Sequence, residues 1–350
     1  MKVYLQYPWK FPDSPYYKSL IKNSPKGITY LNAEIAKEGA TSSLSKFLFS
    51  NFIKTKLRLI LRLIKNNTPN AHLTKSDERY DLIHCAHCLS KNDSPWVADI
   101  EGVFSLQLAD DLTKKGKENI KKIILNNNCK KVIPWTKSIE KNILKEFPEI
   151  KNKLKVIYPA VPEIKDLNKP NNKQLKIIYV SRYFNLKGGE IALKVLDRLE
   201  KEYKIKGIVI SDVPNYLKKK YKNLEIHNLL PQKKLFKLME ESDLFLYPSI
   251  VDTFGFCLLE AMSFGLPIVT LNSKKTECIN EIVTPGKNGY IYEYESNYLD
   301  KLFKGCGELI LNKELRLKMS KNCLKEIKEG KFSINKRNKE LNTIYLEALK

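Results

Sequence analysis

The second half of the chain alternates short apolar runs with longer runs whose apolar residues recur at helical spacing. The strand-like runs are 176–180, 207–210, 224–227, 244–247 and 267–271, and helical patterns cover 189–202, 233–241 and 257–264. Parallel strands need a long crossover connection, which is usually a helix. The alternation therefore predicts an α/β domain in which helices cover a parallel sheet.

The first half is less regular, but it also predicts an α/β domain. Its strand-like runs are 2–7, 27–31, 80–85, 96–100 and 131–134. The chain has 350 residues, which is enough for two domains that each bury a core.

The segment 159–173 contains three prolines and two adjacent asparagines and follows an apolar strand-like run at 155–158. We therefore expect a first domain over 1–160, a linker over 161–173 and a second domain over 174–330. The segment 331–350 ends in a helical pattern at 338–349, and we expect it to pack back on the first domain. Two such domains would face each other across a cleft, where parallel sheets bind ligands.

The net charge of +23 favours anionic partners, such as nucleotide sugars or anionic lipid surfaces. Lysines on solvated surfaces would give the same excess. A basic nucleic-acid-binding protein is the alternative from another functional class, but the chain lacks a recognition helix, an RNA-binding sheet and a zinc finger. We therefore expect no nucleic acid partner.

The chain has no apolar run long enough to span a bilayer, and its first residues lack the pattern of a signal peptide. Its seven cysteines are scattered and odd in number, as in reduced cytosolic proteins. We expect a cytoplasmic protein. The segment 47–65 carries a stripe of cations, Lys54, Arg58, Arg62 and Lys65, and is interpreted either as a helix covering the first sheet or as a peripheral contact with an anionic membrane.

The segment from Asp252 to Glu260 follows an apolar strand and leads into a helix that Gly265 and Pro267 end. The amide groups of the first helical turn then face the preceding Phe-Gly loop, where a glycine lets a ligand approach the backbone. Such amides and the helix dipole bind phosphate. Asp252 and Glu260 therefore lie on either side of a predicted anion site. Alternatively, Asp252 caps a turn and Glu260 lies on a solvated face of the helix.

This segment resembles the signature of glycosyltransferase family 4, in which two acids are separated by seven residues with a Phe-Gly pair between them. Glu-Ala-Met and Gly-x-Pro follow, as in the family. Upstream, 178–182 with Lys187-Gly188-Gly189 resembles the strand, Arg and Lys-Gly element, and 280–283 with 286–290 resembles the closing elements. The resemblance implies a GT-B fold, which is α/β with two Rossmann-like domains facing each other across a cleft. It also implies a retaining glycosyltransferase of the hexosyltransferase type that requires no metal.

The resemblance assigns roles to individual residues of the second domain. Arg182 and Lys187 match the basic pair that stabilises the charge of the leaving diphosphate. Asp252 stands where the family usually carries glutamate, and its shorter side chain places the sugar specificity in question. The residues matched to donor binding are Gly255, Phe256, Cys257 and Leu258 for phosphate and sugar oxygens, Glu260 for the ribose hydroxyls and Leu230 for the base.

The first domain lacks the glycine-rich loop that many relatives carry after the first strand. The segment 9–17 occupies that place, and Asp13 within it either hydrogen-bonds acceptor hydroxyls or belongs to a structural loop. Glu101 lies at the strand end where the family typically places a histidine facing the donor sugar. A carboxylate there could orient the sugar or help to move the acceptor proton, or it could be a turn acid.

The sequence His84-Cys85-Ala-His87-Cys88 contains residue types that bind zinc. Successive residues of a strand point to opposite faces, so these side chains do not converge on one tetrahedral site. We expect no metal, and interpret His84 or His87 as lining the acceptor side of the cleft.

The sequence thus predicts transfer of a hexose-type sugar from a nucleotide-diphosphate-sugar to a glycan, lipid or lipid-linked acceptor. No cofactor is expected besides this donor substrate. In the implied reaction the leaving phosphate accepts the acceptor proton. A nucleotide-sugar epimerase or a phosphorylase on the same fold is the alternative, because a fold alone does not fix the reaction.

Overall fold

The computed structural model describes residues 1–7, 14–33, 67–108, 112–164 and 174–350, together with the single positions 53, 56, 60 and 167. Asp13 and nearly all of the predicted 47–65 helix lie outside the described residues. The chain forms two compact units. The first unit comprises Met1–Ala160 and Ile334–Lys350, and the second comprises Val161–Ser333.

The described part of the first unit contains a five-stranded parallel sheet in the order β2-β1-β4-β6-β7. Its strands are β1 (Lys2–Gln6), β2 (Thr29–Leu31), β4 (Leu82–Ala86), β6 (Trp96–Ile100) and β7 (Cys129–Pro134). A separate small pair consists of β3 (Ala71–His72) and β5 (Leu89–Ser90). All residues of β4 and β6 are buried, as is typical of the central strands of a parallel sheet.

The helices of the first unit are α1 (Pro15–Lys22), α2 (Lys114–Leu125), α3 (Lys137–Glu146) and the C-terminal helix α11 (Ile334–Ala348). Short 3₁₀ helices span Val103–Leu106 and Pro148–Lys153. Thr113 and Thr136 cap α2 and α3 by accepting hydrogen bonds from the backbone amides of Gly116 and Ile139. Helix α11 packs against β6 and β7 of the sheet.

The expected strand at 155–158 is wrong. The amides of Lys155 and Ile157 donate to carbonyls of β7, at 3.1 and 3.2 Å, but no ladder continues from them. The next donor in this alternation would be residue 159, which is a proline and has no amide hydrogen.

The second unit contains a six-stranded parallel sheet in the order β10-β9-β8-β11-β12-β13. Its strands are β8 (Leu175–Val180), β9 (Ile205–Ile210), β10 (Glu225–His227), β11 (Leu244–Tyr247), β12 (Ile268–Asn272) and β13 (Gly289–Glu293). The helices are α4 (Gly189–Glu202), α5 (Asn215–Lys220), α6 (Gln232–Glu240), α7 (Phe256–Ser263), α8 (Ile279–Ile282), α9 (Tyr298–Leu311) and α10 (Lys313–Lys328). The predicted strands and helices of this unit are confirmed with bounds that shift by at most two residues.

The strand order of each sheet reverses at one point, and this reversal fixes where a ligand can bind. In the second unit, the chain runs outward from β8 to β10 and then returns to place β11 on the other side of β8. In the first unit, the corresponding reversal lies between β1 and β4. Loops diverge from the carboxyl ends of the strands at such a point and leave a crevice for ligands.

Candidate active site

Most of the predicted donor residues lie in the two loops that leave β8 and β11 and at the start of α7, next to the strand reversal of the second unit, whereas Leu230 lies in the loop after β10. Gly188 brings these loops into contact. Its φ angle is +70°, and a Cβ atom added to it would lie 1.9 Å from the carbonyl oxygen of Pro248. Only glycine combines this backbone conformation with so close an approach. The Lys-Gly-Gly motif therefore fixes the β8–α4 loop against the end of β11.

Lys187 is held in this loop by two oxygen atoms. Its Nζ atom donates to the carbonyl oxygen of Val251 at 2.7 Å and lies 3.1 Å from Oδ2 of Asp252. The hydroxyl of Tyr247, at the end of β11, donates to the same Oδ2 at 2.5 Å. The Lys187 side chain is 19% exposed and that of Asp252 is 7% exposed. A fixed, largely buried ion pair thus stands at the strand reversal.

Tyr247 acts in this cluster as a neutral hydrogen-bond donor. Burial and the negative charge of Asp252 raise the pKa of its hydroxyl well above the ordinary value. The carboxylate of Asp252 is therefore held by an ammonium group and a hydroxyl group. Sequence reasoning placed Lys187 and Asp252 at one site, but the direct contact between them could not be read from their spacing.

Helix α7 begins immediately after this cluster. Gly255 caps it with a φ angle of +85°, and the Oδ1 atom of Asp252 accepts a hydrogen bond from the amide of Phe254 at 3.3 Å. The buried ring of Phe254 packs on the rings of Phe256 and Phe332. The loop is thereby fixed, and the positive end of the helix dipole lies beside the ion pair.

Glu260 lies further along α7 and is half-buried. Burial raises the pKa of its carboxyl group to about 7, and the positive charge of Arg182, which follows β8, partly opposes this shift. Arg182 is exposed. Burial also raises the pKa of Cys257 to about 12, so its thiol stays neutral. Leu230 is half-buried in the loop after β10, at the same edge of the sheet.

Glu101 follows β6 in the first unit, and its side chain is 30% exposed. His87 follows the neighbouring strand β4, and its Nε2 atom lies 4.0 Å from Oε2 of Glu101. The two strands are in register, with Ala86 opposite Asp99, so both side chains leave the same edge of the sheet. The structure therefore brings together two predicted residues that the sequence treated separately.

His84 lies in the core of the first unit and has no exposed surface. Its Nδ1 atom is 2.5 Å from the hydroxyl of Tyr345 in α11, and its Nε2 atom is 2.8 Å from Oδ2 of Asp99. The interpretation of His84 as lining the acceptor side is therefore wrong, because its ring is enclosed by these two groups. The full burial of β4 is the reason.

The two cysteines of the same segment are directed to Gln6 on β1. The Nε2 atom of Gln6 lies 3.5 Å from the Sγ atom of Cys85 and 3.4 Å from that of Cys88. Burial raises the pKa of the Cys85 thiol. Within the described parts of the chain, no group of three or more His, Cys, Asp or Glu side chains is placed to hold a metal ion.

A buried polar network around Asp99 was not predicted from the sequence. The hydroxyls of Tyr16 and Tyr17 in α1 donate to its carboxylate at 3.1 and 3.3 Å. Arg337 of α11 is also fully buried and donates to the hydroxyl of Ser19 and the carbonyl oxygen of Asn23. The sequence feature that could have indicated this network is Asp99, an acid inside the apolar strand 96–100, because a buried charge requires polar partners.

The chain is similar to known glycosyltransferases in sequence and in fold. Residues 161–326 match the family described as glycosyl transferases group 1. An uncharacterized glycosyltransferase of Haemophilus influenzae is 30% identical over 208 residues, which is 57% of this chain and 57% of that relative. The chain thus spans little more than half the length of this relative.

Two solved structures share the fold over nearly the whole chain. A glycosyltransferase from Rickettsia africae superposes with a TM-score of 0.68 at 15% identity and covers 100% of this chain and 98% of its own. Alr3699/HepE from Anabaena, solved in complex with UDP-glucose, gives a TM-score of 0.61 at 14% identity and covers 98% of both chains. Within the described residues, no helix is long and apolar enough to cross a membrane. The chain therefore has the GT-B fold, with two Rossmann-like units, and its second unit matches the glycosyl transferases group 1.

Proposed function

We propose that the protein is a glycosyltransferase of family 4 type that transfers a hexose-type sugar from a nucleotide-diphosphate-sugar, with retention of the anomeric configuration. The observation that carries this proposal is the cluster of Lys187, Asp252 and Tyr247 beside the start of α7. It supplies a fixed cation and a helix N-terminus at the strand reversal, where a diphosphate group would bind.

The leaving diphosphate gains negative charge as its bond to the sugar breaks. Lys187 stabilises this charge from a position that its two oxygen partners hold before the substrate arrives, and the exposed Arg182 adds a second cation. Two cations supply the charge that a metal ion provides in other transferases, so the reaction requires no metal. The backbone from Gly255 to Leu258 binds phosphate and sugar oxygens.

The nucleoside is held at the same edge of the second sheet. Glu260 accepts hydrogen bonds from the ribose hydroxyls, and Leu230 packs near the base. The Alr3699/HepE protein binds UDP-glucose in its solved structure, which supports a uridine nucleotide as the first donor to test. Asp252 acts chiefly through Lys187, because its carboxylate is already held by that ammonium and by Tyr247.

The acceptor, a glycan, a lipid or a lipid-linked sugar, binds to the first unit in this proposal. Glu101 orients the hydroxyl that attacks the sugar. The attacking oxygen bonds to the anomeric carbon, the bond from that carbon to the diphosphate oxygen breaks, and the proton of the hydroxyl passes to the diphosphate. No contact of the described residues favours the epimerase, phosphorylase or nucleic-acid alternatives.

Thermal unfolding in the presence of nucleotide sugars tests donor binding. We expect one class of nucleotide sugar to raise the melting temperature, and Arg182→Ala and Glu260→Ala to reduce this shift. Lys201→Ala and Glu277→Ala remove the same types of charge from exposed positions of the second unit and serve as controls. Unchanged stabilisation in the Arg182 and Glu260 variants would refute the site. The anomeric configuration of the product, followed by NMR, tests retention.

A further inference from the structure

We propose that His87 is a positioning residue that holds the carboxylate of Glu101 in the orientation needed to direct the attacking hydroxyl. This inference rests on the proposed glycosyl transfer. It concerns the first unit, and it assigns a function to a side chain that is almost entirely buried.

The backbone of His87 is held in a conformation that residues other than glycine seldom adopt. Its φ angle is +53°, which costs about 1 kcal/mol in a residue with a Cβ atom. Asn70 stabilises this conformation by donating to the carbonyl oxygen of His87 at 2.8 Å, and the amide of His87 donates to the carbonyl oxygen of Asp99 at 3.1 Å. The fold thus maintains a local strain at the carboxyl end of β4, as active sites often do.

The ring of His87 is fixed as firmly as its backbone. It packs edge-on against Trp135 at 4.7 Å and against Tyr17 at 5.5 Å between ring centroids, and only 8% of the residue is exposed. Its Nε2 atom therefore has a defined position 4.0 Å from Oε2 of Glu101. The carboxylate of Glu101 is more exposed, at 30%, so it can contact both the ring behind it and a substrate hydroxyl in front.

The residue after Glu101 is a glycine that leaves room for a neighbouring ring. A Cβ atom on Gly102 would lie 2.4 Å from the ring of Phe104, so the glycine allows that ring to fold against the end of β6. His87 is held by its backbone hydrogen bonds and by two aromatic rings, and it faces Glu101. It is therefore better placed to position Glu101 than to contact a substrate directly.

A double-mutant cycle on turnover tests this inference. UDP-glucose serves as the donor and water as the acceptor, and UDP release is measured. We expect His87→Phe and Glu101→Gln each to lower kcat about 10-fold or more, and the double variant to be no slower than Glu101→Gln alone. We expect KM for UDP-glucose to stay unchanged, because in the proposed reaction Glu101 orients the attacking hydroxyl and the donor-binding residues lie in the second unit. His87→Gln has the same backbone strain as His87→Phe but keeps an N–H donor, so we expect it to retain most of the turnover.

The inference would be overturned if the two fold-losses of kcat multiplied in the double variant, or if His87→Phe kept full turnover. NMR supplies a readout that needs no turnover, because the chain contains only four histidines. Glu101→Gln is expected to move the ring ¹⁵N resonances of His87, whereas the control Glu146→Gln, in a surface pair with Lys117, leaves them in place. Unmoved His87 resonances would refute the positioning role. If these resonances move but no nucleotide sugar is turned over, the proposed function is refuted, while the contact between His87 and Glu101 is still supported.

Discussion

Replacing Glu260 by glutamine changes the stability of the second unit in a pH-dependent manner that can be calculated from the structure. Burial raises the pKa of this carboxyl group from 4.5 to about 7. The folded state therefore binds the proton more tightly than the unfolded state does. The protonated side chain keeps its full stability below pH 4.5, and this stability is lost as the pH rises toward 7.

The size of this loss follows from the shift. One pKa unit corresponds to about 1.4 kcal/mol, so a shift from 4.5 to 7 corresponds to at most about 3.5 kcal/mol, and solvent at the half-buried carboxyl lowers this value. Glutamine has no proton to lose. We therefore expect the stability of Glu260→Gln relative to the wild type to increase by about 1 to 2.5 kcal/mol between pH 5 and pH 8. This corresponds to roughly 2 to 10 °C in melting temperature for a unit of this size.

Thermal unfolding of the wild type, Glu260→Gln and the exposed control Glu277→Gln at several pH values measures this difference. With UDP present, the same experiment is expected to show stabilisation by the ligand that increases with pH, because the charged carboxylate of Glu260 is the stronger acceptor for the ribose hydroxyls in the proposed site. In the wild type, the increase in melting temperature caused by UDP is then expected to become larger as the pH rises through 7. In Glu260→Gln this increase should change less with pH. A stability difference that does not depend on pH would refute the assignment of the raised pKa to burial of Glu260.

Three further predictions concern the same unit. Gly188→Ala is expected to destabilise the second unit by more than about 3 kcal/mol in chemical denaturation, because the new Cβ atom meets the Pro248 carbonyl. The control Gly286→Ala has a similar φ angle of +74° in open space, so we expect it to cost about 1 kcal/mol. Equal costs would contradict the close contact between Gly188 and Pro248. Lys187→Met and Asp252→Asn each leave a largely buried partner charge unpaired, so we expect their stability losses to sum to more than the loss in the double variant. Additive losses would show that the pair is not coupled. Because two cations replace a metal in the proposed reaction, EDTA is expected to leave both UDP-glucose turnover and UDP stabilisation unchanged, and a loss restored by Mg²⁺ or Mn²⁺ would refute metal independence.

Much of the second unit could be predicted from the sequence because its signals are local. An apolar run such as 244–247 and an amphipathic run such as 189–202 each identify one element, and a glycine with a nearby proline ends the helix after Glu260. The edge strand β13 was missed, because its tyrosines and glutamate lack the continuous apolar pattern of a central strand.

Contacts between segments far apart in the chain were not predictable in this way. Tyr345 meets His84 only after the C-terminal helix has packed on the first sheet, and no spacing in either segment shows this partner. The same limit applied to Lys187 and Asp252. Their motifs identified a common site, but the strand reversal that brings the β8 and β11 loops together is a property of the sheet order.

The contact between Lys187 and Asp252 changes the interpretation of Asp252, which stands where the family resemblance leads one to expect a glutamate. Asp252 is short, and both of its carboxylate oxygens have partners, Oδ2 with Lys187 and Tyr247 and Oδ1 with the amide of Phe254. We infer that the shorter acid fixes the phosphate-binding cation and the loop before α7, and contributes little to direct recognition of the sugar. In the proposed function, sugar recognition then depends on the backbone after Gly255, and acceptor orientation depends on Glu101. Variation at Asp252 should consequently change kcat and stability for every donor, whereas variation at Glu101 should change which acceptor is accepted.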